Sequence, residues 1–262
     1  MRIAPRWIGM LAALAALLSG AARAELASHR AVYRMTQETT KAGGDIAGAN
    51  GELMIEFIDA CEGWTLEQRI ALTIVGVDGG EIESVTTFTS WESKDGERYR
   101  FEQNTRHDGV SIEELSGRAA LTATGGGRAT LTKPEAMNIP LPPGAMFPAD
   151  HTALLMASAE AGKRSIVRTV FDGTTVDNPN RVSAFIGASR ALPSLTVEDA
   201  EVRVWPIRLA FYSMTKREPD PDVEIGLLLQ ADGVARAVQL DYRTFTMRGE
   251  LTEYESLTPI DC

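Results

Sequence analysis

Histidine and cysteine are nearly missing from this chain, which has three of the first and two of the second in 262 residues. Transition-metal centres need such residues clustered at short ligand spacings, and His29, His107 and His151 are scattered. There is no C-x-x-C for thiol exchange, no H-E-x-x-H, no G-x-S-x-G elbow, no phosphate-cradling Walker loop and no G-x-G-x-x-G. A Ser-His-Asp arrangement assembles only in space, and no local elbow supports one. No catalytic, cofactor-binding or metal-binding residue is nominated, and the chain is expected not to be an enzyme. Positive charge is also short, with 26 Lys and Arg against 36 Asp and Glu and a net charge of −10. Nucleic acid and bare anionic lipid are therefore poor partners. Long apolar runs are missing after the first residues. The stretch from Ile225 to Ala231 is flanked by Glu224 and Asp232 and falls short of the ~20 residues a spanning helix requires.

What is present begins with a leader. Arg2 and Arg6 precede an apolar run from Ile8 to Leu18, and small residues end in Ala22-Arg23-Ala24. This is the layout of a secretory signal peptide over residues 1–24, expected to be cleaved after Ala24. No cysteine follows the small residues, so no acyl anchor is expected. The mature chain, 25–262, would then lose Arg2, Arg6 and Arg23 and no acid, leaving 23 basic against 36 acidic side chains, a net charge of −13. The expected location is the periplasm of a Gram-negative bacterium.

Export decides how the two cysteines are read. Cys61 lies in DACEGWT and Cys262 is the final residue of TPIDC. In an oxidising compartment a lone pair of cysteines is expected to join. Asp59 and Glu62 beside Cys61 oppose the lowered thiol pKa that redox catalysis would need. Closing a loop of ~200 residues gives about 5 kcal/mol in the chain-entropy treatment, an upper figure. The expected role is to pin the last strand, which would otherwise fray, onto an N-terminal one.

The body of the chain alternates with period two. Leu53, Ile55 and Phe57 oppose Glu52 and Glu56; Leu66, Ile70, Leu72 and Ile74 alternate with Glu67, Arg69 and Thr73. Tyr99 and Phe101, and Val238, Leu240 and Tyr242, repeat the pattern. These are half-buried antiparallel strands. Gly79-Gly80, Asp95-Gly96, Asp108-Gly109, Gly125-Gly126-Gly127, Asp172-Gly173 and Asp232-Gly233 supply hairpin-type turns too closely spaced for crossover helices. After Tyr242 the apolar parity shifts to Phe245, Met247 and Leu251, which predicts a bulge or corner near Thr244.

One segment differs. A Pro-rich connector, Asn138 to Gly144, leads to FPADHTALLMASAEAG, which predicts a helix with Asp150 as N-cap, His151 at its first position and Gly162 just past its end. A cation is disfavoured there, so His151 is expected to be neutral and hydrogen-bonded. Asp220, Asp222 and Glu224 sit among prolines and read as a stiff acidic loop rather than a calcium loop. Asp177-Asn178-Pro179-Asn180 reads as a turn. Trp64, Trp91 and Trp205 read as core or rim residues. The Pro-rich stretch could separate two domains; a Cys61 to Cys262 link would tie both halves together, and a single domain over 25–262 is expected.

SHRAVYRMT (28–36), GELMIEF and DACEGW (51–57 and 59–64), MFPADHT (146–152), FDG (171–173) and LDYRTFTMRGELTEYE (240–255) together resemble the EipB-type family of cell-envelope integrity proteins. The resemblance runs in order along the whole mature chain, and the ordered set carries it rather than any one motif. TTVDNPNRV after FDG is where it transfers least. It implies an all-β fold, a spiral-like open β-barrel of antiparallel strands with one α-helix near the middle, and a disulfide on Cys61 and Cys262. It also implies a non-enzymatic, cofactor-free role in envelope integrity. Two modes of action are open. One is a rigid protein-binding scaffold, for which the resemblance implies a periplasmic tetratricopeptide-repeat partner. The other is a carrier that holds a lipid or other apolar ligand in the barrel.

Overall fold

The computed structural model describes residues 26–40, 44–122, 126–215, 219–242 and 244–260. The leader and its cleavage site, Gly125 and Cys262 lie outside the described residues. Strand β1 (His29–Thr40) opens an antiparallel meander through β2 (Ile46–Ala60), β3 (Gly63–Gly76), β4 (Glu81–Ser93), β5 (Arg98–His107), β6 (Val110–Leu121), β7 (Gly127–Lys133) and β8 (Met137–Leu141). A short β9 (Ala145–Met146) leads into α1 (Pro148–Glu160). A second run follows: β10 (Ser165–Val170), β11 (Asn180–Ile186), β12 (Arg190–Pro193), β13 (Glu201–Ser213), β14 (Val223–Gln230), β15 (Ala235–Asp241) and β16 (Phe245–Ser256).

The two runs join where the chain begins and ends, because β1 pairs with β16 on one side and β2 on the other. Fifteen strands then follow one hydrogen-bonded path from β8 to β9, with β12 attached to β13. The path curls into a nearly closed, barrel-like shell whose seam lies between its two ends, β8 and β9. This is the open barrel with one helix expected above. The end strand β16 is paired on both edges, with β1 and β15, so a backbone ladder on each side holds it in place.

The alternation read from the sequence maps onto the wall. Register places Leu53 opposite Ile70 and Phe57 opposite Leu66, so the apolar sides of β2 and β3 share the inner face. The largest apolar cluster gathers Tyr33, Met35, Leu53, Val182, Trp205 and Met247 around Leu155 and Met156 of α1. The helix thus fills part of the lumen. A second cluster joins Tyr99, Phe101, Leu115 and Leu131 to Phe147 and Phe171. Tyr99 stacks on Phe147 with centroids 5.0 Å apart, and Phe101 meets Phe171 at 5.6 Å. Gly173, at φ +71°, passes so close to Phe101 that an added Cβ would lie 2.5 Å from its ring. Apolar packing therefore draws the β9–α1 segment onto the far wall across a seam that has no strand ladder.

Three local expectations change. The parity shift after Tyr242 is a hairpin turn between β15 and β16, with Tyr242 N donating to Phe245 O at 2.9 Å, and not a bulge. Asp172-Gly173 lies in the nine-residue connection 171–179 rather than in a tight hairpin. In that connection Asn178 is buried and does more than turn the chain. Its Oδ1 accepts from Asp172 N at 3.1 Å and its Nδ2 donates to Thr175 O at 3.2 Å.

Candidate functional site

The helix that enters the lumen starts earlier than its sequence suggested. Phe147 is the N-cap and Pro148 the first helical residue, where a missing N–H costs nothing. Asp150 is inside the first turn and does not cap. The exposed N–H groups are met instead by Glu92 of β4, a side chain only 3% accessible. Its Oε2 accepts from Ala149 N at 2.7 Å and its Oε1 from Asp150 N at 2.9 Å. A carboxylate on a helix N-terminus is favoured by both the hydrogen bonds and the helix dipole. Gly162 follows the helix at φ +74°, as expected.

With its start shifted, α1 carries His151 in its second turn, on the side facing the shell interior. There it borders a cavity of about 290 Å³ between the inner faces of β1 to β3 and of β13 to β15. Tyr33, Leu53, Leu155, Leu209, Leu227 and Val238 form much of the wall. Polar groups are few: His29, Gln68, His151, Thr152 and Asp232. Most have partners. Tyr33 Oη donates to Ala235 O at 2.7 Å, Thr152 Oγ1 to Pro148 O at 2.9 Å, and Asp232 Oδ1 accepts from Val234 N at 3.2 Å.

His29 and His151, unrelated in sequence, meet in this one wall. Burial lowers the pKa of His29, whose Nδ1 lies 2.8 Å from Ala27 O. His151 is pushed down to about 4, first by burial and second by Arg168. The expected neutrality of His151 agrees with this, but the expected hydrogen bond does not. Its Nε2 is buried and has no partner. An unsatisfied buried nitrogen of this kind costs about 1–3 kcal/mol. The periodicity of β2 and β3 announced an apolar inner face, whereas no sequence signal announced that His151 would face it.

The remaining sequence candidates fall elsewhere. Asp222 Oδ2 accepts from Ser213 N at 3.2 Å, and Glu224 pairs with Arg208 at 2.8 Å. Among the described residues no group of three His, Cys, Asp or Glu is arranged around a common metal position. Trp205 is in the core, Trp64 stacks on Phe57 under Lys94, and Trp91 lies beneath Arg98 and Arg100. His107 ends β5 beside the Asp108-Gly109 turn. Cys61 begins the two-residue turn between β2 and β3 at φ +62°. The C-terminal tail runs past it: Ile260 N donates to Asp59 O at 3.1 Å, and Cys61 Sγ lies 3.5 Å from Ile260 O.

On the outer face of β11 to β16 lies a wider groove of about 630 Å³. Arg164, Arg190, Arg208 and Arg248 line it beside Phe185, which is 61% exposed. Arg208 is engaged by Gln239, Glu224 and Asp241 at 2.8 to 3.1 Å.

Among the described residues no helix is long and apolar enough to cross a membrane. Comparison with known proteins places this architecture. The chain is 28% identical over 253 residues to the cell envelope integrity protein EipB of Brucella abortus (strain 2308), covering 94% of this chain and 90% of the relative. It also superimposes, at a TM-score of 0.83 and 27% identity, on the crystal structure of a β-barrel-like protein of a domain of unknown function from Brucella abortus, covering 89% of this chain and 99% of the other. Residues 20–258 match the EipB-like family, and the chain belongs to that family.

Proposed function

We propose that this chain is a non-catalytic periplasmic protein of envelope maintenance that holds a small apolar molecule in its lumen. The envelope role is supported by the EipB relative. The lumenal mode is carried by one observation, the largely apolar cavity of about 290 Å³ that α1 leaves open inside the shell. That is close to the lower end of the ~300–1,000 Å³ usual for ligand pockets. It is about twice the ~150 Å³ apolar hole that admits benzene. Native mass spectrometry of protein purified from its own periplasm, with organic extraction of the same sample, should recover a stoichiometric small molecule. Repeated spectra of bare polypeptide would overturn this reading.

A second mode, the shell as a scaffold for a periplasmic tetratricopeptide-repeat protein, is favoured by the arginine-lined outer groove with its exposed Phe185. Crosslinking in cells should then trap one defined partner whose yield falls on Phe185→Asp. Both modes require that loss of the gene sensitise cells to detergents and cell-wall antibiotics, and wild-type resistance of a clean deletion would count against either. Pairing of Cys61 with Cys262 is part of the same proposal. The tail contacts of Ile260 support it, since they deliver the chain end to within two residues of the last cysteine at the Cys61 turn.

A further inference from the structure

We infer that the outer groove is a docking site for an extended protein segment rich in Asp and Glu, carrying an apolar side chain that packs beside Phe185. The inference rests on the scaffold reading and adds which chemistry a partner has to present.

Three observations lead to it. The first is the shape of the groove. Strand register sets Phe185, Arg208, Gly226, Gln239 and Arg248 side by side across β11, β13, β14, β15 and β16. The next outer row along these strands is small or apolar. Pro206 lies opposite Leu228, Gly187 N donates to Pro206 O at 2.8 Å, and Ala237 of β15 completes the row. Gly226 leaves the wall low beside Gln239, where an added Cβ would lie 3.2 Å from the Gln239 Cβ. The result is a trough of about 630 Å³ that crosses the strands. With strands ~4.8 Å apart it is roughly 19 Å long, the reach of an extended chain of about six residues.

The second is charge. Among the described residues that line the trough, four are arginines and one, Glu38, is an acid. Glu38 already accepts from Gln239 Nε2 at 2.5 Å, and Arg208 is held by Glu224 and Asp241. Among the described residues no hydrogen bond or ion pair engages the guanidinium of Arg164 or Arg190. Both lie towards the Phe185 end, where Ile186 N donates to Arg164 O at 2.9 Å and Arg190 begins β12. Arg248, at the other end, has only Glu250 at 3.4 Å, an exposed pair of little strength. The cations are therefore spread along the trough rather than gathered about one point. A lone phosphate or carboxylate would meet one end, whereas carboxylates spaced along a chain meet both.

The third is Phe185, 61% exposed above an apolar floor. Aromatic and arginine side chains are the types enriched where proteins dock. A partner's apolar side chain set on Phe185 and Leu228 would supply the dry centre, and the arginines at both ends would fix its register. The chain as a whole carries a net charge of −10, so an acidic segment is repelled elsewhere and gains only where positive charge is concentrated.

Phage display of random peptides of about eight residues, long enough to span the trough, against the intact exported protein tests this. The enriched pool should hold at least about twice the Asp and Glu of the input library, around one or two apolar positions. A synthetic peptide from that pool should bind Arg164→Glu/Arg190→Glu about 5- to 20-fold more weakly and Phe185→Ala at least about threefold more weakly. Its affinity for the unaltered protein should also fall between about 50 and about 500 mM salt. Thermal unfolding of each variant confirms that folded protein is compared. A pool that is not acidic, no enrichment, or an affinity unchanged in the double variant or in high salt each overturns the inference. The scaffold reading fails separately, when crosslinking in cells traps no partner sensitive to Phe185→Asp. A trapped partner whose bound segment is not acidic overturns the chemistry and leaves the scaffold standing.

Discussion

Two buried side chains decide what the lumen contains. Glu92 reaches from β4 to the first two free N–H groups of α1 at 2.7 and 2.9 Å, so the carboxylate holds the helix in the shell as well as capping it. Glu92→Ala should lower stability by about 2 kcal/mol, since it removes a charge-assisted cap and leaves two N–H groups unmet in a buried site. Urea unfolding reads this directly, and an unchanged midpoint would mean the helix start is held by packing alone. His151 sets the acid limit. Its folded-state pKa of about 4 lies below the ordinary 6.5. The unfolded chain therefore binds the proton first. The stability tied to this group is complete above pH 6.5 and is lost as pH falls from there towards 4, by up to roughly 3 kcal/mol. His151→Leu should flatten that acid decline, leaving the part due to His29, which is shifted the same way. An acid profile identical to wild type would show that His151 is not the neutral buried ring described here.

At the scale of elements, the seam is the feature that differs most from an ordinary barrel. β8 and β9 end the hydrogen-bonded path and are joined only through residues 142–144. Aromatic packing, fully buried Phe147 against Tyr99 and fully buried Phe171 against Phe101, holds the second half of the wall against the first there, together with hydrogen bonds from Tyr99 Oη to Asp172 O at 2.9 Å and from Ala149 N and Asp150 N to Glu92. Phe147→Ala should cost about 3–5 kcal/mol. The loss should appear first as faster hydrogen exchange at the amides of β8 and β9, before the β1–β16 ladder responds. Uniform acceleration along the whole sheet would show instead that the seam opens only with global unfolding. The β1–β16 pairing places both of these strands inside the sheet, each with neighbours on both edges.

For the whole molecule, the proposed Cys61 to Cys262 link acts on first and last strands already held together by the β1–β16 ladder. Its contribution is then through the unfolded chain, whose two ends it would keep together. Cys262→Ser should lower the melting temperature under non-reducing conditions, with about 5 kcal/mol as the upper figure for such a loop, and should abolish any effect of added reductant. The variant should still fold, because β16 retains both partners. An unchanged melting curve would show that the thiols are not paired. Charge works at the same scale. A net charge of −10 over the full chain favours dispersal in solution, while the outer arginines, Arg208 among them, are partly compensated by neighbouring acids.

Much of the architecture was legible in one dimension because it depends on local rules. Period-two alternation such as Leu53, Ile55 and Phe57 against Glu52 and Glu56 has one physical solution, a strand with one face indoors, and the glycine-containing turns set where most strands reverse. Gly162 marked the end of α1 for the same reason, since a left-handed residue closes a helix cheaply. Contacts between distant residues were not legible. Nothing in the neighbourhood of Asp150 says that Glu92, 58 residues earlier, will cap the helix in its place. Nor does any local feature say that His29 and His151 will face one cavity or that Phe147 will cross the seam. The sequence by itself determined the strands, their inner faces and the all-β class, because backbone geometry and burial act over a few residues. Only the tertiary structure decided the lumen and which described side chains line it, because a cavity is a property of how remote walls come together.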